Sequence, residues 1–178
     1  MSRAVLSIGA NMGDTVAALT GVREHFGDVV VAASAIHATP PWGPVGQDDF
    51  DNAVLIVDDP ARDAHDWLEE GFACERAADR RREVRWGPRT LDVDVVSVTV
   101  EGTTVVDDDP HLTLPHPRAS IRAFVLVPWL DADPEARLWT PDGERAVVDL
   151  VADLPTDDVT GVRRRDVPGW DRLPVVAR

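Results

Sequence analysis

A short strand pattern that carries two acidic side chains constrains this chain most. At residues 91–96 polar and apolar side chains alternate and β-branched residues are frequent, which predicts a β-strand. Because successive side chains of a strand point to opposite faces of a sheet, Asp92 and Asp94 are expected on one face. Neighbouring carboxylates repel each other unless a cation lies between them, and oxygen ligands suit Mg²⁺. The pattern therefore predicts a magnesium site on this strand.

The residues just before this strand indicate a phosphate ligand. Arg85 and Arg89 stand on either side of a Trp-Gly-Pro sequence, and a guanidinium group can bind two phosphate oxygens at once. Magnesium beside guanidinium groups is what a polyphosphate requires. An Asp-x-Asp pattern alone more often marks a solvated acidic strand edge, but the adjacent Trp-Gly-Pro-Arg favours the functional interpretation.

The charge of the chain argues against nucleic acid and acidic membranes as partners. With 18 basic and 32 acidic residues the net charge is −14, which would repel both over most of the surface. A local basic segment stands out against this background, formed by Arg76, Arg80, Arg81, Arg82, Arg85 and Arg89. Such a segment suits a small anion better than a duplex, although a solvated charged helix end is the alternative interpretation.

Length and composition indicate a single domain over residues 1–178, with a core over about 1–153 and a tail over 154–178. No run approaches the roughly eighteen apolar residues of a membrane span. The N-terminus lacks the apolar core of a signal peptide, so we expect a cytoplasmic protein. Cys74 is the one cysteine, which argues against an intramolecular disulfide and a cysteine-based zinc site.

The order of predicted elements is βαββαβ. Strands are expected at residues 4–9, 29–37, 50–57 and 92–99, and helices at residues 15–26 and 61–79. This order is typical of the ferredoxin-like α+β fold, an antiparallel sheet with two helices on one face and, here, long loops between its elements. That fold hosts many unrelated activities, so it does not by itself indicate a function.

The chain beyond this core has weaker patterns. We expect a hairpin excursion over residues 100–109, a rigid proline loop over 114–118 and a helix over 121–130. From about residue 155 the pattern fades, apart from a strand-like stretch at 159–163. We therefore expect the tail to pack irregularly on the surface or to fray.

Several side chains could bind a planar, phosphorylated ligand. Phe50 and Asn52 would share a strand face and pair a flat ring with an amide that donates and accepts. Phe124 offers a second ring, although a phenylalanine in an apolar segment is as often part of a core. His116, between two prolines, could donate to a phosphate oxygen or could be satisfied by a carbonyl group. The glycines of the turn at residues 9–14 could expose N–H groups to an anion, but the geometry of the turn explains them better.

These segments, in this order, resemble the 6-hydroxymethyl-7,8-dihydropterin pyrophosphokinase family from residue 4 to about residue 150. The resemblance rests on residues 8–14, 39–43, 49–54, 85–94, 114–118 and 122–124. The string at 85–94 is highly specific. The family transfers the pyrophosphoryl group of ATP to the hydroxymethyl oxygen of the dihydropterin, yields AMP and uses two Mg²⁺ ions.

The resemblance implies a role for named residues. Asp92 and Asp94 would bind both metal ions. Pterin-contacting residues would be Thr39, Trp42, Phe50, Asn52, Trp86, Asp92 and Phe124. ATP-contacting residues would be Arg82, Trp86, Arg89, Thr113, His116 and Arg122. The catalytic set would be Arg80, Arg82, Arg89, Asp92 and Asp94. The resemblance also suggests a monomer that acts on small molecules and binds neither nucleic acid nor membrane.

Some positions depart from the family pattern. Ala10 stands where serine is usual, which removes one hydroxyl group from the turn. Asp79 stands where glycine is common, which stiffens the arginine-rich loop and adds a negative charge beside it. Ser120 and Ile121 occupy positions that are more often polar or charged, which bears on a peripheral ATP contact.

Two alternatives stay open at this point. A different magnesium-dependent nucleotidyl or phosphoryl transferase would keep the aspartate pair but not the set formed by Phe50, Asn52 and Phe124. A non-catalytic nucleotide-binding module of the same fold could dispense with the metal ligands. Failure to bind pterin would favour the transferase, and ATP binding that is insensitive to magnesium would favour the module.

Overall fold

The computed structural model describes residues 1–41, 46–78 and 90–170. In these ranges the strands are β1 Ser2–Ala10, β2 Val30–Ala33, β3 His37–Thr39, β4 Phe50–Asp58, β5 Asp92–Val100, β6 Thr103–Thr104, β7 Asp107–Asp109, β8 Leu112–Leu114, β9 Arg137–Thr140, β10 Gly143–Ala146 and β11 Arg163–Arg164. The helices are α1 Thr15–Phe26, α2 Ala64–Ala77, α3 Ala123–Ala132, α4 Val147–Ala152 and α5 Thr156–Gly161.

One antiparallel sheet organises the described residues. Its strands run in the order β11-β3-β4-β1-β5-β6, and β2 also pairs with β4. The pairs β9-β10 and β7-β8 form separate two-stranded sheets. The predicted ferredoxin-like α+β fold is therefore confirmed, with β1 at the centre between the long strands β4 and β5.

Helices cover both faces of this sheet. Leu19 of α1 and Trp67 of α2 are fully buried in one cluster with alternate residues of β1, β4 and β5. On the opposite face, Leu126 of α3 and Val147 of α4 pack with Val54 and the other alternate residues. The prediction of two helices on one face holds for α1 and α2 but is incomplete, because the apolar segment of α3 buries itself against the other face.

Local side chains explain where the two long core helices begin. Asp14 accepts the N–H of Ala17 at 2.9 Å and caps α1, whose bounds match the prediction. Asp63 and Asp66 form a reciprocal capping box, so α2 begins at Ala64 rather than at residue 61.

The strand predicted over residues 29–37 is broken. It consists of a 3₁₀ turn at Gly27–Val29, then β2, and then β3 after a gap. In the gap the Ser34 hydroxyl accepts the N–H of Val54 at 2.9 Å, and an Asp131 carboxylate oxygen accepts the N–H of Ala35 at 2.7 Å. Side chains therefore take over the bonds that a continuous ladder would make.

The segment after residue 100 forms two hairpins instead of one. Glu101 and Gly102 both have positive φ and join β5 to β6, as a tight two-residue turn requires. The strands β7 and β8 then pair with each other. The helix predicted at residues 121–130 is α3, preceded by a 3₁₀ turn at Ala119–Ile121.

The prediction of an irregular or frayed tail is wrong for residues up to 170. The stretch expected to be strand-like at 159–163 is mostly the helix α5, and β11 follows it on the edge of the sheet. Val167 and Trp170 are buried in the core. Within the described ranges, no helix has the length and apolar character needed to cross a bilayer.

Candidate functional site

The candidate site is centred on Gly9, in the middle strand of the sheet. Gly9 pairs with Asn52 of β4 on one side and with Asp92 of β5 on the other. Residues directly opposite each other on antiparallel strands point to the same face. Asn52, Gly9 and Asp92 therefore form one row across the sheet, which we call the Gly9 row. The next row is Val54, Ser7 and Asp94.

The Gly9 row lies on the face that α3 covers. Val54 and Val96 share this face and pack in the α3 cluster. Val93 and Val95, which alternate with the two aspartates, pack in the cluster of α1 and α2. Asp92 and Asp94 thus lie on one face, as the alternation predicts, and it is the α3 face.

Gly9 is required by close approach and not by a turn. Its φ is not positive, but a Cβ atom at this position would lie 2.3 Å from the Asn52 Oδ1 atom. The amide of Asn52 therefore lies over the bare backbone of β1. The sequence interpretation missed this role, because it ascribed the glycines to the turn. That interpretation does hold for Gly13, whose φ is +67°.

A side-chain carboxylate already occupies the N-terminus of α1, where an anion would otherwise bind. The Asp14 carboxylate accepts a backbone N–H of the first turn. Asn11 donates to the Gln47 side chain at 3.1 Å and to the Asp48 carbonyl oxygen at 3.0 Å. Both contacts favour the structural interpretation of the turn at residues 9–14 over anion binding.

The β4 side of the row is neutral and buried. Asn52 is 6% exposed and Thr39 is 2% exposed, and the Asn52 amide donates to the Thr39 hydroxyl oxygen at 2.6 Å. In register Thr39 lies opposite Phe50, which is partly exposed. Three of the predicted pterin-contacting residues thus lie together at one edge of the site.

The β5 side of the row is charged and more open. Asp92 and Asp94 are partly buried, and the Arg122 guanidinium lies 3.5 Å from an Asp94 carboxylate oxygen. Its Cζ atom also lies 5.4 Å from the centroid of the Phe124 ring. Because Arg122 and Phe124 are at the start of α3, that helix brings a cation and a ring to the acidic strand.

The acidic pair suits a hard divalent cation with a partial set of protein ligands. The described part of the chain contains no cluster of three or more His, Cys, Asp or Glu side chains arranged for a metal ion. Mg²⁺ is commonly held by one or two carboxylates and completes its octahedral set with water and phosphate oxygens. The two aspartates on one strand face fit that pattern.

His116 is held as a neutral donor beside this side of the site. Its pKa is lowered to about 4, chiefly because it is partly buried, and further by the charges of Arg122 and Arg118. Its Nδ1 atom accepts the N–H of Arg118 at 3.2 Å, so the proton of the neutral ring is on Nε2. The backbone N–H of His116 donates to the Val96 carbonyl oxygen at 2.8 Å, which ties this loop to β5.

A cavity of about 460 Å³ adjoins this loop. Thr113 and His116 line it together with Leu138, Trp139 and Pro141. The sequence interpretation missed the wall formed by the last three, because it assigned neither an element nor a role to this segment. Thr113 is exposed, and its hydroxyl donates to the Asp109 carbonyl oxygen at 3.1 Å.

Some predicted residues lie outside the residues that the structure describes. They are Trp42, Asp79, Arg80, Arg81, Arg82, Arg85, Trp86 and Arg89. Of the other departures from the family pattern, Ala10 is fully buried and Ile121 is half exposed.

Similarity to known proteins shows the family to which this chain belongs. The sequence model of the family described as 7,8-dihydro-6-hydroxymethylpterin-pyrophosphokinase matches residues 5–134, well over half of the chain. This chain belongs to that family. The matched range contains Gly9, both aspartates and every described residue predicted for the site.

Named relatives agree with the pyrophosphokinase family. The 2-amino-4-hydroxy-6-hydroxymethyldihydropteridine pyrophosphokinase of Mycobacterium tuberculosis is 47% identical over 168 residues, which are 92% of this chain and 89% of the relative. The enzyme of the same name from Methylorubrum extorquens is 41% identical over 92% of this chain and 99% of its own length. The one from Pseudomonas aeruginosa is 32% identical over 89% of this chain and 96% of its own length.

Solved structures support the same fold. A crystal structure of Plasmodium falciparum HPPK-DHPS with pteroate aligns with a TM-score of 0.58 and 12% identity. The alignment covers 84% of this chain and 41% of that one, so this chain spans about two-fifths of that protein. At this identity the likeness bears on the fold alone.

Proposed function

We propose that this chain transfers the pyrophosphoryl group of ATP to the hydroxymethyl oxygen of 6-hydroxymethyl-7,8-dihydropterin, releases AMP and requires magnesium. As a member of its family it is a pyrophosphokinase of this dihydropterin in folate biosynthesis. The Gly9 row carries the residue-level proposal, because it holds a neutral amide and an acidic group on either side of bare backbone.

The neutral side of the row suits the pterin. The edge of a pterin both donates and accepts hydrogen bonds, as an amide does. Asn52 is fixed by Thr39, so it meets the ligand already oriented. We infer that Asn52 reads the pterin edge while Phe50 and Phe124 stack on its faces. By resemblance the proposed pterin site also includes Trp42, Trp86 and Asp92.

The acidic side of the row suits magnesium and the phosphates. Asp92 and Asp94 would hold the metal, and by resemblance two ions. Bound there, Mg²⁺ would neutralise the charge of the phosphate oxygens. Arg122 balances the acidic pair from the start of α3 and is placed to contact a phosphate oxygen itself.

ATP would lie along the loop before α3. His116 is neutral and carries its proton on Nε2, so it can donate to a phosphate oxygen without adding charge. Thr113 directly precedes the rigid loop of residues 114–118 and lines the same cavity as His116. By resemblance Arg82, Trp86 and Arg89 complete the ATP contacts.

The proposed chemistry depends on positioning and charge neutralisation and not on a strong base. Phosphoryl-group transfers are accelerated mainly by holding the attacking and leaving oxygens in line and by balancing charge. The proposed catalytic set is therefore the acidic pair with Arg80, Arg82 and Arg89. Exclusion of water would protect ATP from hydrolysis.

We further propose a monomeric, single-domain, cytoplasmic enzyme without affinity for nucleic acid or membrane. The net charge of −14 supports the absence of nucleic-acid binding. The pairing of Arg163 and Arg164 with β3 and the burial of Val167 and Trp170 support one domain that includes the tail as far as residue 170.

The direct test is nucleotide analysis after incubation of the purified chain with ATP, the dihydropterin and Mg²⁺. We expect AMP and the pterin diphosphate, with no AMP when either the pterin or the metal is omitted. ADP as the nucleotide product would instead indicate an ordinary kinase. ATP binding that is independent of magnesium, with no turnover, would indicate a non-catalytic module.

A further inference from the structure

A segment after the region matched by the family crosses the pterin edge of the site. Residues 162–170 are called the strap, and their strand β11 runs antiparallel to β3. Arg163 and Arg164 pair with Ala38 and His37, and the N–H of Arg165 donates to the Ile36 carbonyl oxygen at 2.8 Å. The strap therefore covers the outer edge of β3, which would otherwise be an unpaired edge strand.

Three consecutive arginines join the strap to three different parts of the fold. Arg163 pairs with Asp49 in the loop before β4, and Arg164 pairs with Asp131 of α3 at 2.8 Å. Arg165 pairs with Asp51 of β4. The carboxylates differ in burial: the Asp49 side chain is exposed, whereas the Asp51 side chain is only 7% exposed.

The Arg165 pair differs from the Arg163 pair in its carboxylate, which is buried, whereas the Arg165 side chain itself is 43% exposed. Exposed ion pairs contribute little, since water screens them and both side chains lose freedom. A buried carboxylate that loses its cation is strongly unfavourable. The Asp51 carboxylate also accepts a hydrogen bond from the Thr15 hydroxyl at 2.6 Å. We therefore expect Arg165 to matter more than Arg163.

The far end of the strap is anchored in the core. Trp170 is 2% exposed, and its indole N–H donates to the Ser34 carbonyl oxygen at 2.8 Å. The Arg23 guanidinium of α1 donates to the Trp170 carbonyl oxygen at 2.9 Å and lies 5.1 Å from the ring centroid. The strap is thus held both at residues 163–165, beside β3, and at Trp170, which contacts Ser34 and Arg23.

The strand under the strap positions the neutral side of the Gly9 row. β3 has three residues, and its last one, Thr39, accepts the amide of Asn52. Asp51, the partner of Arg165, lies between Phe50 and Asn52 in β4. The strap therefore contacts both β3 and β4, the strands that carry the proposed pterin contacts. It lies at the edge of the sheet opposite β5, where the phosphates are proposed to bind.

We propose that the strap positions the pterin edge of the site and that Arg165 is its main positioning residue, acting through Asp51 and β3. This inference deepens the proposed function and rests on its pterin site. Arg165 does not touch the substrate in this scheme. It sets the geometry of Asn52 and Thr39, so its loss affects pterin binding and leaves ATP binding largely unchanged.

The test measures affinities for the dihydropterin and for a non-hydrolysable ATP analogue with Mg²⁺. For Arg165→Ala we expect pterin affinity to fall about tenfold and ATP-analogue affinity to change less than about twofold. Arg165→Lys keeps the charge and should recover part of the loss. Arg163→Ala, from the same strap but with an exposed partner, is the matched control and should bind both ligands as the wild type does.

Equal losses for both ligands would reduce Arg165 to a general structural residue and overturn the proposal. Unchanged pterin affinity in a folded Arg165→Ala variant would overturn it as well. Wild-type protein that binds no dihydropterin at all would instead contradict the proposed function, before the strap is tested. The wild-type measurement therefore comes before the variants.

Hydrogen exchange on the wild-type chain gives an independent test that no folding defect can disturb. If the strap increases the affinity for the pterin, then pterin binding must stabilise the strap by the same free energy. We expect the dihydropterin to slow exchange of the backbone amides of residues 163–165, and the ATP analogue alone to leave them unchanged. Exchange in the strap that does not respond to the pterin would contradict the coupling.

Discussion

The two sides of the Gly9 row are built in different ways. On the β4 side Asn52 and Thr39 are buried, neutral and joined by a 2.6 Å hydrogen bond. On the β5 side Asp92 and Asp94 are partly exposed, and Arg122 approaches Asp94 at 3.5 Å. A neutral ligand edge is recognised by fixed donors and acceptors, whereas a charged one needs counter-charges that stay hydrated until it binds.

The difference extends to the supports behind each side. The β4 side is held by β3 and the strap, and the β5 side by the start of α3 and the loop of His116. Changes on one side should therefore affect one ligand more than the other. The following variants test that separation.

The largest effect is expected from Asp94→Asn. The substitution keeps the shape of the side chain but removes a charged oxygen ligand, so turnover should fall by about three orders of magnitude or more. The change should show in AMP formation, with pterin affinity nearly unaltered. Asp28→Asn, at an exposed aspartate away from the site, should remain fully active. Near-normal turnover of Asp94→Asn would refute the metal assignment.

Gly9→Ala should damage the pterin side severely. The new methyl group would lie 2.3 Å from the Asn52 Oδ1 atom, so the amide must move. We expect pterin affinity to fall about a hundredfold, as small displacements of positioning groups can cost that much. Calorimetric titration with the dihydropterin checks this result.

Gly21→Ala is the matched control for the Gly9 variant. Gly21 lies in α1, where an added Cβ meets no atom within 4 Å. That variant should bind pterin normally and gain about 1 kcal/mol in free energy of unfolding, because alanine favours the helix. If both variants bind pterin alike, Gly9 is not a close-approach position.

Thr39→Val should produce a smaller loss on the same side. It removes the oxygen that accepts the Asn52 amide, in a buried setting where an unsatisfied donor costs about 1–3 kcal/mol. We expect pterin affinity to fall about tenfold, or 1.4 kcal/mol, with ATP-analogue binding retained. Thr103→Val, at an exposed strand position, provides the comparison. A parallel loss of ATP binding would contradict the separation of the two sides.

The smallest effect concerns the pH response of His116. Its pKa in the folded chain is about 4, below the ordinary value of 6.5, so the unfolded chain binds more protons between those values. Its contribution to stability is therefore complete above pH 6.5 and is lost as the pH falls toward 4. We expect the free energy of unfolding of His116→Gln to fall less than that of the wild type between pH 6.5 and pH 4. Denaturant titration at several pH values measures it.

NMR titration of the imidazole checks the cause of this pH response. A midpoint near 4 in the wild type would agree with a neutral donor at neutral pH. A midpoint near 6.5 would mean that His116 is solvated and that its ring is not a fixed neutral donor.

Local signals predicted much of the fold. The bounds of α1 match because Asp14 caps one end and Gly27 follows the other. The alternation correctly predicted that Asp92 and Asp94 share one face. The β-branched residues correctly predicted a strand at this place in the sequence. Such features depend on neighbours in sequence, so one chain suffices to find them.

Long-range contacts set the limits of the sequence prediction. The break between β2 and β3 depends on Asp131, far along the chain, and no local pattern indicates it. The strap depends on pairs such as Arg165 with Asp51, and 32 acidic residues offer too many possible partners. The face that α3 covers, and with it the contact between Arg122 and Asp94, follows from the packing of the whole sheet.

A crystal structure of the chain with the dihydropterin, a non-hydrolysable ATP analogue and Mg²⁺ would test the division of the site most directly. We predict the pterin ring beside Asn52 over the bare backbone of Gly9, with the metal ions between Asp92, Asp94 and the phosphates. A pterin bound elsewhere, for example in the cavity beside Trp139, or metal ions without contact to either aspartate, would contradict it.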